Sequence, residues 1–247
     1  LVQMKHKHHS LFLLTWLIGT VVQAQDTIRY VGKTLSNVDY HHGQLSPAVG
    51  VHNIQVFRAD RENKSGTALD WTYNHAPMLT YWNNTFYQQY LSNPVDEHIA
   101  PGQTLMVTSK DGRVWSKPTV VFPPYAPPKG VKIPKGSDGY MMHQRMGFYV
   151  APNGRLLVLA FYAHAEEPFR EGGIGRVVRE AYKDGTYGPI YFIRYSSHKA
   201  VDGTQWGEQN TSYPFYKKST DQGFVEACHA LLGDKLMTLQ WREEDNG

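Results

Sequence analysis

Short stretches in which apolar and polar residues alternate follow one another along the chain, separated by clusters of turn residues. This period of two predicts β-strands with one buried face. The predicted strands form pairs, and two consecutive pairs make a unit of four strands. They lie at 78–82 with 86–91, 105–109 with 119–122, 147–151 with 155–162, 177–180 with 190–195, and, opening a third round, 225–232 with 236–241. No segment of the chain beyond its leader shows a helical period over a convincing length.

The turns between paired strands carry the residues that tight hairpins need. Asn83-Asn84, Pro152-Asn153-Gly154 and Gly233-Asp234 tolerate or favour positive φ. They lie 70 and then 80 residues apart, so each four-stranded unit is larger than a common propeller blade of ~40 to 50 residues. The pattern predicts an all-β protein, with a β-propeller as the first interpretation and a β-sandwich as the second.

One turn has a motif of its own. Ser109, Asp111, Gly112 and Trp115 resemble the Asp box of sialidase-like β-propellers in compressed form. In such a turn the Asp side chain accepts from the turn amides, Gly takes a positive φ, and Trp packs between sheets. A chance Asp-Gly hairpin is the alternative. The motif favours a fold and is silent about chemistry, because Asp boxes lie far from active sites.

The first residues are predicted to be a leader. A basic stretch after Met4 precedes the apolar run 11–22, and 22–24 offers small or aliphatic residues for a signal peptidase. We therefore expect a signal peptide at 1–24, and a partial β-propeller catalytic domain at 25–247, exported to a bacterial periplasm or cell surface. Only two complete four-stranded units are predicted, so about half of the blades are expected here, with the chain truncated at its C-terminus.

The composition of the chain limits the kinds of molecule that it is expected to bind. The formal charge of +3 falls to about +1 without Lys5 and Lys7, and no Lys/Arg cluster stands out, so nucleic acid is not an expected partner. No later segment is long and apolar enough to span a membrane. Cys228 is the only cysteine, which excludes an intrachain disulfide. An aromatic content of 13% suits an all-β protein that binds a hydroxyl-rich ligand such as a sugar.

Several polar residues lie where loops enter predicted strands and are expected to converge near a propeller axis. Arg binds a carboxylate in a bidentate fork, and His or Tyr can exchange a proton near neutral pH, which suits an acidic sugar. The set consists of His75, His143, Arg145, Arg194 and Tyr195.

Ordinary glycosidases use two carboxylates instead. The chain offers several, and nothing in their spacing singles out a pair. They are Asp39, Asp70, Asp96, Glu97, Glu166 and Glu167.

Four longer segments resemble glycoside hydrolase family 145. They are NVDYHHGQLSPAVGVHNIQV at 37–56, WTYNHAP at 71–77, GQTL at 102–105 with the Asp box that follows, and GPIYFIRY at 188–195. The resemblance runs over most of residues 27–247. It implies a seven-bladed propeller from gut Bacteroidetes, related to ulvan-type polysaccharide lyases, that hydrolyses the linkage between α-L-rhamnose and the 4-position of D-glucuronate at the side-chain caps of plant arabinogalactan.

The resemblance also implies a catalytic apparatus centred on one histidine near the N-terminus, on the face opposite the lyase-like pocket. His52 matches that histidine best and His42 second. The substrate's own carboxylate would supply the second catalytic function. The other reading of His52 is a strand-end histidine bonded to a backbone carbonyl. Substrate binding is expected from His42, Asn53, His75, His143, Arg145, Arg194 and Tyr195, with no cofactor and no metal.

Two other functions stay open at this point. A uronate lyase would use His75, His143, Arg194 and Tyr195, and a non-catalytic propeller would only bind the glycan. A zinc site at His198, Cys228 and His229 is disfavoured, because a 30-residue gap and a missing fourth ligand make a buried free thiol the better interpretation of Cys228.

Overall fold

The structure, a computed structural model, describes residues 53–59, 68–97, 99–125, 141–164, 173–199, 202–203 and 205–241. The predicted signal peptide at 1–24 lies outside these residues. No helix in the ranges just given is long and apolar enough to cross a membrane.

The first sheet has four antiparallel strands in sequence order. They are β1 (Tyr73–Trp82), β2 (Thr85–Asn93), β3 (Gln103–Ser109) and β4 (Thr119–Phe122). Asn83 and Asn84 join β1 to β2 with φ of 47° and 55°, the two successive positive values of a tight hairpin turn. The sheet confirms the strands and the turn that the sequence predicts for this region.

The second sheet repeats the first. Its strands, again antiparallel and in sequence order, are β5 (Met141–Val150), β6 (Leu156–His164), β7 (Gly173–Ala181) and β8 (Tyr191–Tyr195). Two consecutive four-stranded meanders are the repeat of a β-propeller, and each sheet is one blade. The propeller prediction is confirmed for this part of the chain.

The core lies on both faces of the second blade. Leu156, Val158, Ala160 and Tyr162 alternate along β6 and pack in one cluster with side chains of the first blade. The intervening residues of β6, such as Leu157, pack in a second cluster on the opposite face. Because both faces are covered, β6 is buried almost without interruption.

The predicted third round of strands is wrong. Residues Gln222–Gly233 form an α-helix, here α1, and 236–241 form no strand. Asp221 caps the helix, accepting a hydrogen bond from the Phe224 backbone N–H. The buried residues of α1 are Phe224, Ala227, Cys228 and Leu231, which is the i, i+3, i+4, i+7 spacing of one helical face. That face covers the second cluster, the one on the face of the second blade that points away from the first blade's cluster.

The two blades have two distinct ends. The turns β1–β2, β3–β4, β5–β6 and β7–β8 all lie at one end, which we call the Asp-box end. The starts of β1, β3, β5 and β7 and the ends of β2, β4, β6 and β8 lie at the opposite end. β5 contacts β1, β2 and β3, most extensively β1, so the first strands of the two blades are neighbours. The Trp82 indole Nε1 donates to the Gly154 carbonyl at 2.9 Å and ties the Asp-box ends together.

Candidate functional site

The Asp-box turn is held by its own side chains. Asp111 Oδ1 accepts from the backbone N–H of Arg113 at 2.8 Å and of Val114 at 2.9 Å. These bonds to the carboxylate hold the pKa of Asp111 below its usual value. Gly112 takes a φ of 70°, and the Trp115 Nε1 donates to its carbonyl at 3.1 Å. The structure confirms the predicted roles of Asp111 and Gly112, whereas Trp115 packs against Tyr90, Leu105 and Val107 of the first blade.

The predicted sugar-binding residues lie at the opposite end, on three different strands. His75 is on β1, His143 and Arg145 are on β5, and Arg194 and Tyr195 are on β8. Because β1 and β5 are neighbours, the structure brings the first three residues to adjacent strands. β8 lies three strand spacings of about 4.8 Å from β5, roughly 14 Å away across the sheet. The side chains of His143 and Arg145 lie outside the described part.

The first strand of each blade, β1 and β5, carries a β-bulge near the end opposite the Asp box. The register of β1 against β2 shifts between His75 and Met78, and that of β5 against β6 shifts between Gln144 and Gly147. Bulges bend a strand and re-aim the side chains beside them, and they are common next to active sites. Each blade therefore has an irregularity at a similar place in its first strand, next to the segments 73–75 and 141–144.

A hydrogen-bonded cluster lies at the start of β1. The Tyr73 hydroxyl donates to Glu97 Oε2 at 3.2 Å, and His75 Nε2 lies 3.8 Å from Glu97 Oε1. Tyr73 and His75 are two residues apart, so they share one face of the strand, with ring centroids 5.7 Å apart. The side chain of His75 is 50% exposed and that of Glu97 is 30% exposed, so the cluster is open to solvent.

The loop after β2 fixes Glu97. The backbone N–H and the hydroxyl of Thr72 both donate to the Pro94 carbonyl, at 3.1 Å and 3.0 Å. On the other side, the Asn93 amide donates to the Ile99 carbonyl at 2.9 Å. The loop is therefore tied at both ends, and the carboxylate of Glu97 is held against β1.

The electrostatics of the cluster define its resting state. Burial raises the pKa of Tyr73, and the negative charge of Glu97 raises it further. At neutral pH the phenol therefore keeps its proton and donates a hydrogen bond to the carboxylate. A carboxylate so placed can take that proton when the phenol oxygen attacks an electrophile, and tyrosine is the nucleophile of sialidases. His75 beside the pair adds an imidazole, a group that can donate or accept a proton.

Tyr195 has a different environment. Its ring stacks on Phe192 at 5.0 Å and on Phe215 at 5.5 Å, and burial raises its pKa. Arg194 precedes it on β8 and is opposite Arg176 in the register of β7. The aromatic stack gives Tyr195 a packing role at the outer edge of the blade.

The remaining predicted residues stay predictions. His42 and His52 lie outside the described residues, and Asn53 is exposed. Tyr73 was missed by the sequence reasoning, although its position two residues before His75 in a predicted loop entering a strand was a usable signal. Glu97 was one of six carboxylates, and only the fold distinguishes it.

The three residues of the disfavoured zinc site, His198, Cys228 and His229, all lie within the described residues. Cys228 is fully buried in the face of α1, and burial raises the pKa of its thiol to about 12. Within the described ranges, no three His, Cys, Asp or Glu side chains are arranged to hold a metal ion.

These features define an Asp-box β-propeller with a solvent-open cluster of Tyr, Glu and His at the end opposite the Asp box. The chain belongs to the family of BT_1020-like N-terminal β-propellers, whose model matches residues 26–247. No curated protein matches it significantly.

Solved structures that match the chain include the following two. One described as "Sialidase" is 48% identical with a TM-score of 0.70, and the match covers 86% of this chain and 20% of that one. The chain thus spans about one fifth of the length of this relative. The second, a xylan β-1,4-xylosidase from Bacillus halodurans C-125, is 16% identical with a TM-score of 0.35, and the match covers 50% of this chain and 21% of that one.

The first relative connects the propeller to a sialidase-like, glycan-acting protein. The narrower resemblance to glycoside hydrolase family 145 is not among these findings and remains a hypothesis.

Proposed function

We propose that the protein is an exo-acting glycoside hydrolase that cleaves a terminal sugar from a glycan containing acidic sugars. The observation that supports this proposal is the contact of Glu97 with both Tyr73 and His75 at the exposed start of β1. The proposal places the cluster in the active site of a larger enzyme, exported after removal of residues 1–24 and acting in the periplasm or at the cell surface.

The cluster supplies the groups for a double displacement. The Tyr73 oxygen attacks the anomeric carbon while Glu97 takes the phenol proton. His75, when protonated, gives its proton to the glycosidic oxygen, and the aglycone departs. Water, deprotonated by the neutral histidine, then attacks the same carbon. The Tyr73 oxygen leaves, the proton on Glu97 returns to it, and the free sugar is released.

The finer hypothesis from the sequence is the release of L-rhamnose from an α-1,4-linked D-glucuronate cap of arabinogalactan, with His52 as the catalytic residue. It rests on the family 145 resemblance at 37–56, 71–77, 102–105 and 188–195. The substrate's glucuronate carboxylate would be bound by Arg145 or Arg194.

A second candidate substrate is favoured by the relative named "Sialidase". In that case the released sugar itself carries the carboxylate, as a sialic acid does. The tyrosine and carboxylate pair of Tyr73 and Glu97 is the chemistry that sialidases use in place of a carboxylate pair.

One set of assays tests all of these. The protein is incubated with a rhamnose-capped arabinogalactan oligosaccharide and with an α-linked sialoside, following free rhamnose, free sialic acid and the ultraviolet absorbance of unsaturated uronate. We expect Glu97→Gln to lower kcat by about 10²–10⁴-fold, and Tyr73→Phe by at least as much. Tyr81→Phe is the matched control, because Tyr81 lies on the same strand at the Asp-box end.

The outcomes separate the hypotheses. Full activity of Tyr73→Phe would refute the double displacement at Tyr73. Loss of rhamnose release only in His52→Ala would identify that histidine as the catalytic residue. Rising absorbance identifies a lyase. Binding of either glycan without any product identifies a non-catalytic propeller.

A further inference from the structure

A cleft of about 610 Å³ opens at the Asp-box end, between the end of β1, the two hairpin turns of the second blade and the start of α1. Its volume falls in the range of small-ligand sites, about 300–1,000 Å³. It is separate from the cluster of Tyr73, His75 and Glu97, which lies at the opposite end of β1. The lining residues are Trp82, Asn153, Gly154, Arg155, Glu180, Tyr182, Lys183, Asp184 and Asp221.

Two aromatic side chains form part of the wall. The Trp82 indole is fixed by its bond to the Gly154 carbonyl and packs at a tilt on Tyr87, with ring centroids 5.9 Å apart. Tyr182 is 36% exposed. A partly exposed ring with a polar atom at its edge offers an apolar surface to a sugar face and a hydrogen bond to its hydroxyls. Since Trp82 is already immobilised, a ligand that packs on it loses little side-chain entropy on binding.

The polar side of the cleft is held in place by one guanidinium. Arg155 Nη1 donates to Glu180 Oε2 at 2.6 Å and to Asp221 Oδ2 at 2.7 Å, and Nη2 donates to Asp221 Oδ1 at 3.0 Å. Glu180 is only 7% exposed. A carboxylate oxygen has two acceptor sites, so both groups can still accept from a ligand while bound to the arginine. Beside them, the Asn153 amide is fixed by donation to the Gly223 carbonyl at 2.8 Å.

The charges of the lining select the kind of ligand. Glu180, Asp184 and Asp221 are acidic, and only Arg155 and Lys183 are basic. The arginine is already bonded to two of the carboxylates, so Lys183 is the remaining cation of the lining, and the formal charges of the five groups sum to −1. A uronate or sialic acid would be repelled, whereas a neutral sugar offers hydroxyl donors to the carboxylates.

We propose that this cleft is a second carbohydrate site, specific for neutral saccharides, at the end of the propeller opposite the Tyr73 cluster. If the proposed function holds, on which this further role rests, the cleft would bind a neutral part of the glycan whose acidic end is processed elsewhere. The proposal concerns binding alone, so its test does not depend on whether the protein is a hydrolase.

The test is isothermal titration of the protein with neutral arabino- and galacto-oligosaccharides, and with an oligogalacturonate of the same length. We expect saturable binding of at least one neutral oligosaccharide and at least tenfold weaker binding of the oligogalacturonate. Tyr182→Ala should weaken the neutral ligand about tenfold, because the stacking ring is lost, while Tyr182→Phe should retain it. Tyr81→Ala is the control, since that ring is 55% exposed at the same end but does not line the cleft.

Three results would overturn the proposal. They are no saturable binding of any neutral oligosaccharide, equal binding of the oligogalacturonate, and unchanged affinity in a folded Tyr182→Ala. In each of these cases the Arg155 network serves only to attach the start of α1 to the blade.

Discussion

Arg179 connects the two blades, and its replacement by methionine is expected to destabilise the fold. From β7 its Nη1 donates to the Val121 carbonyl on β4 of the first blade at 2.6 Å, and its Nε donates to the Gly188 carbonyl at 2.8 Å. The guanidinium also lies over the Tyr187 ring, 5.1 Å from its centroid. Among the described residues β4 is the last strand of its sheet, so the Val121 carbonyl has no partner strand there and accepts from this donor instead.

The magnitude follows from these contacts. Hydrogen bonds from a charged donor contribute about 1.5–3 kcal/mol each, and both are lost in Arg179→Met. The net stabilisation that Arg179 gives the wild type is smaller than the sum of the two bonds, because burial of the guanidinium is itself unfavourable. The lowered pKa of Arg179 reflects that burial. Methionine also fills part of the volume. We expect a net loss of about 2–3 kcal/mol, which for a domain of this size lowers Tm by roughly 5–10 °C.

Urea unfolding and calorimetry of the purified protein measure the loss. Arg113→Met is the matched control, because the Arg113 side chain is exposed in the Asp-box turn. Arg179→Lys should fall between wild type and Arg179→Met, since an ammonium lacks the fork that reaches two separate carbonyls. If Arg179→Met unfolds at the same urea concentration as Arg113→Met, the connection between the blades contributes nothing.

Two further predictions concern glycines of the second blade and the cysteine of the helix that packs on it. Gly175→Ala should cost about 2–3 kcal/mol, because its Cβ would collide with the Arg194 carbonyl oxygen and lie 2.9 Å from the Tyr195 Cα. Gly185→Ala, with a similar need for positive φ but open space around it, should cost only about 1–2 kcal/mol in the same unfolding assay. Cys228 should resist a disulfide reagent at pH 8, because a thiol with a pKa of about 12 is almost wholly protonated and is fully buried. Rapid labelling of the native protein, without a dependence on added denaturant, would contradict the placement of Cys228 in the core.

The part of the fold that depends on residues close together in the sequence was predictable from the sequence alone. Alternation along 78–82 and 86–91 and the pair Asn83-Asn84 specify a hairpin without any distant contact. The same holds for the turn at Asp111, whose carboxylate accepts from amides two and three residues ahead and from the Ser109 hydroxyl two residues before. Such signals lie within a few residues, and the structure reproduces them.

The helix α1 shows where that reasoning failed. An apolar run does not by itself distinguish a buried strand from a helix, and the expected repeat of four strands decided wrongly for 225–232. The deciding signals were in the sequence. Asp221 stands where a helix is capped, and the spacing from Phe224 to Leu231 is helical.

The sequence by itself determined the strands, their turns and the residue types suited to a sugar. The tertiary structure alone decided which of those residues meet. Tyr73 and Glu97 are 24 residues apart, and their contact exists because β2 returns beside β1 and the following loop is tied to Thr72. Arg155 and Asp221, 66 residues apart, meet only because α1 packs on the second blade. Hydrophobic periodicity specifies which face of an element is buried, but the partner of a polar side chain is set by how whole elements pack against one another.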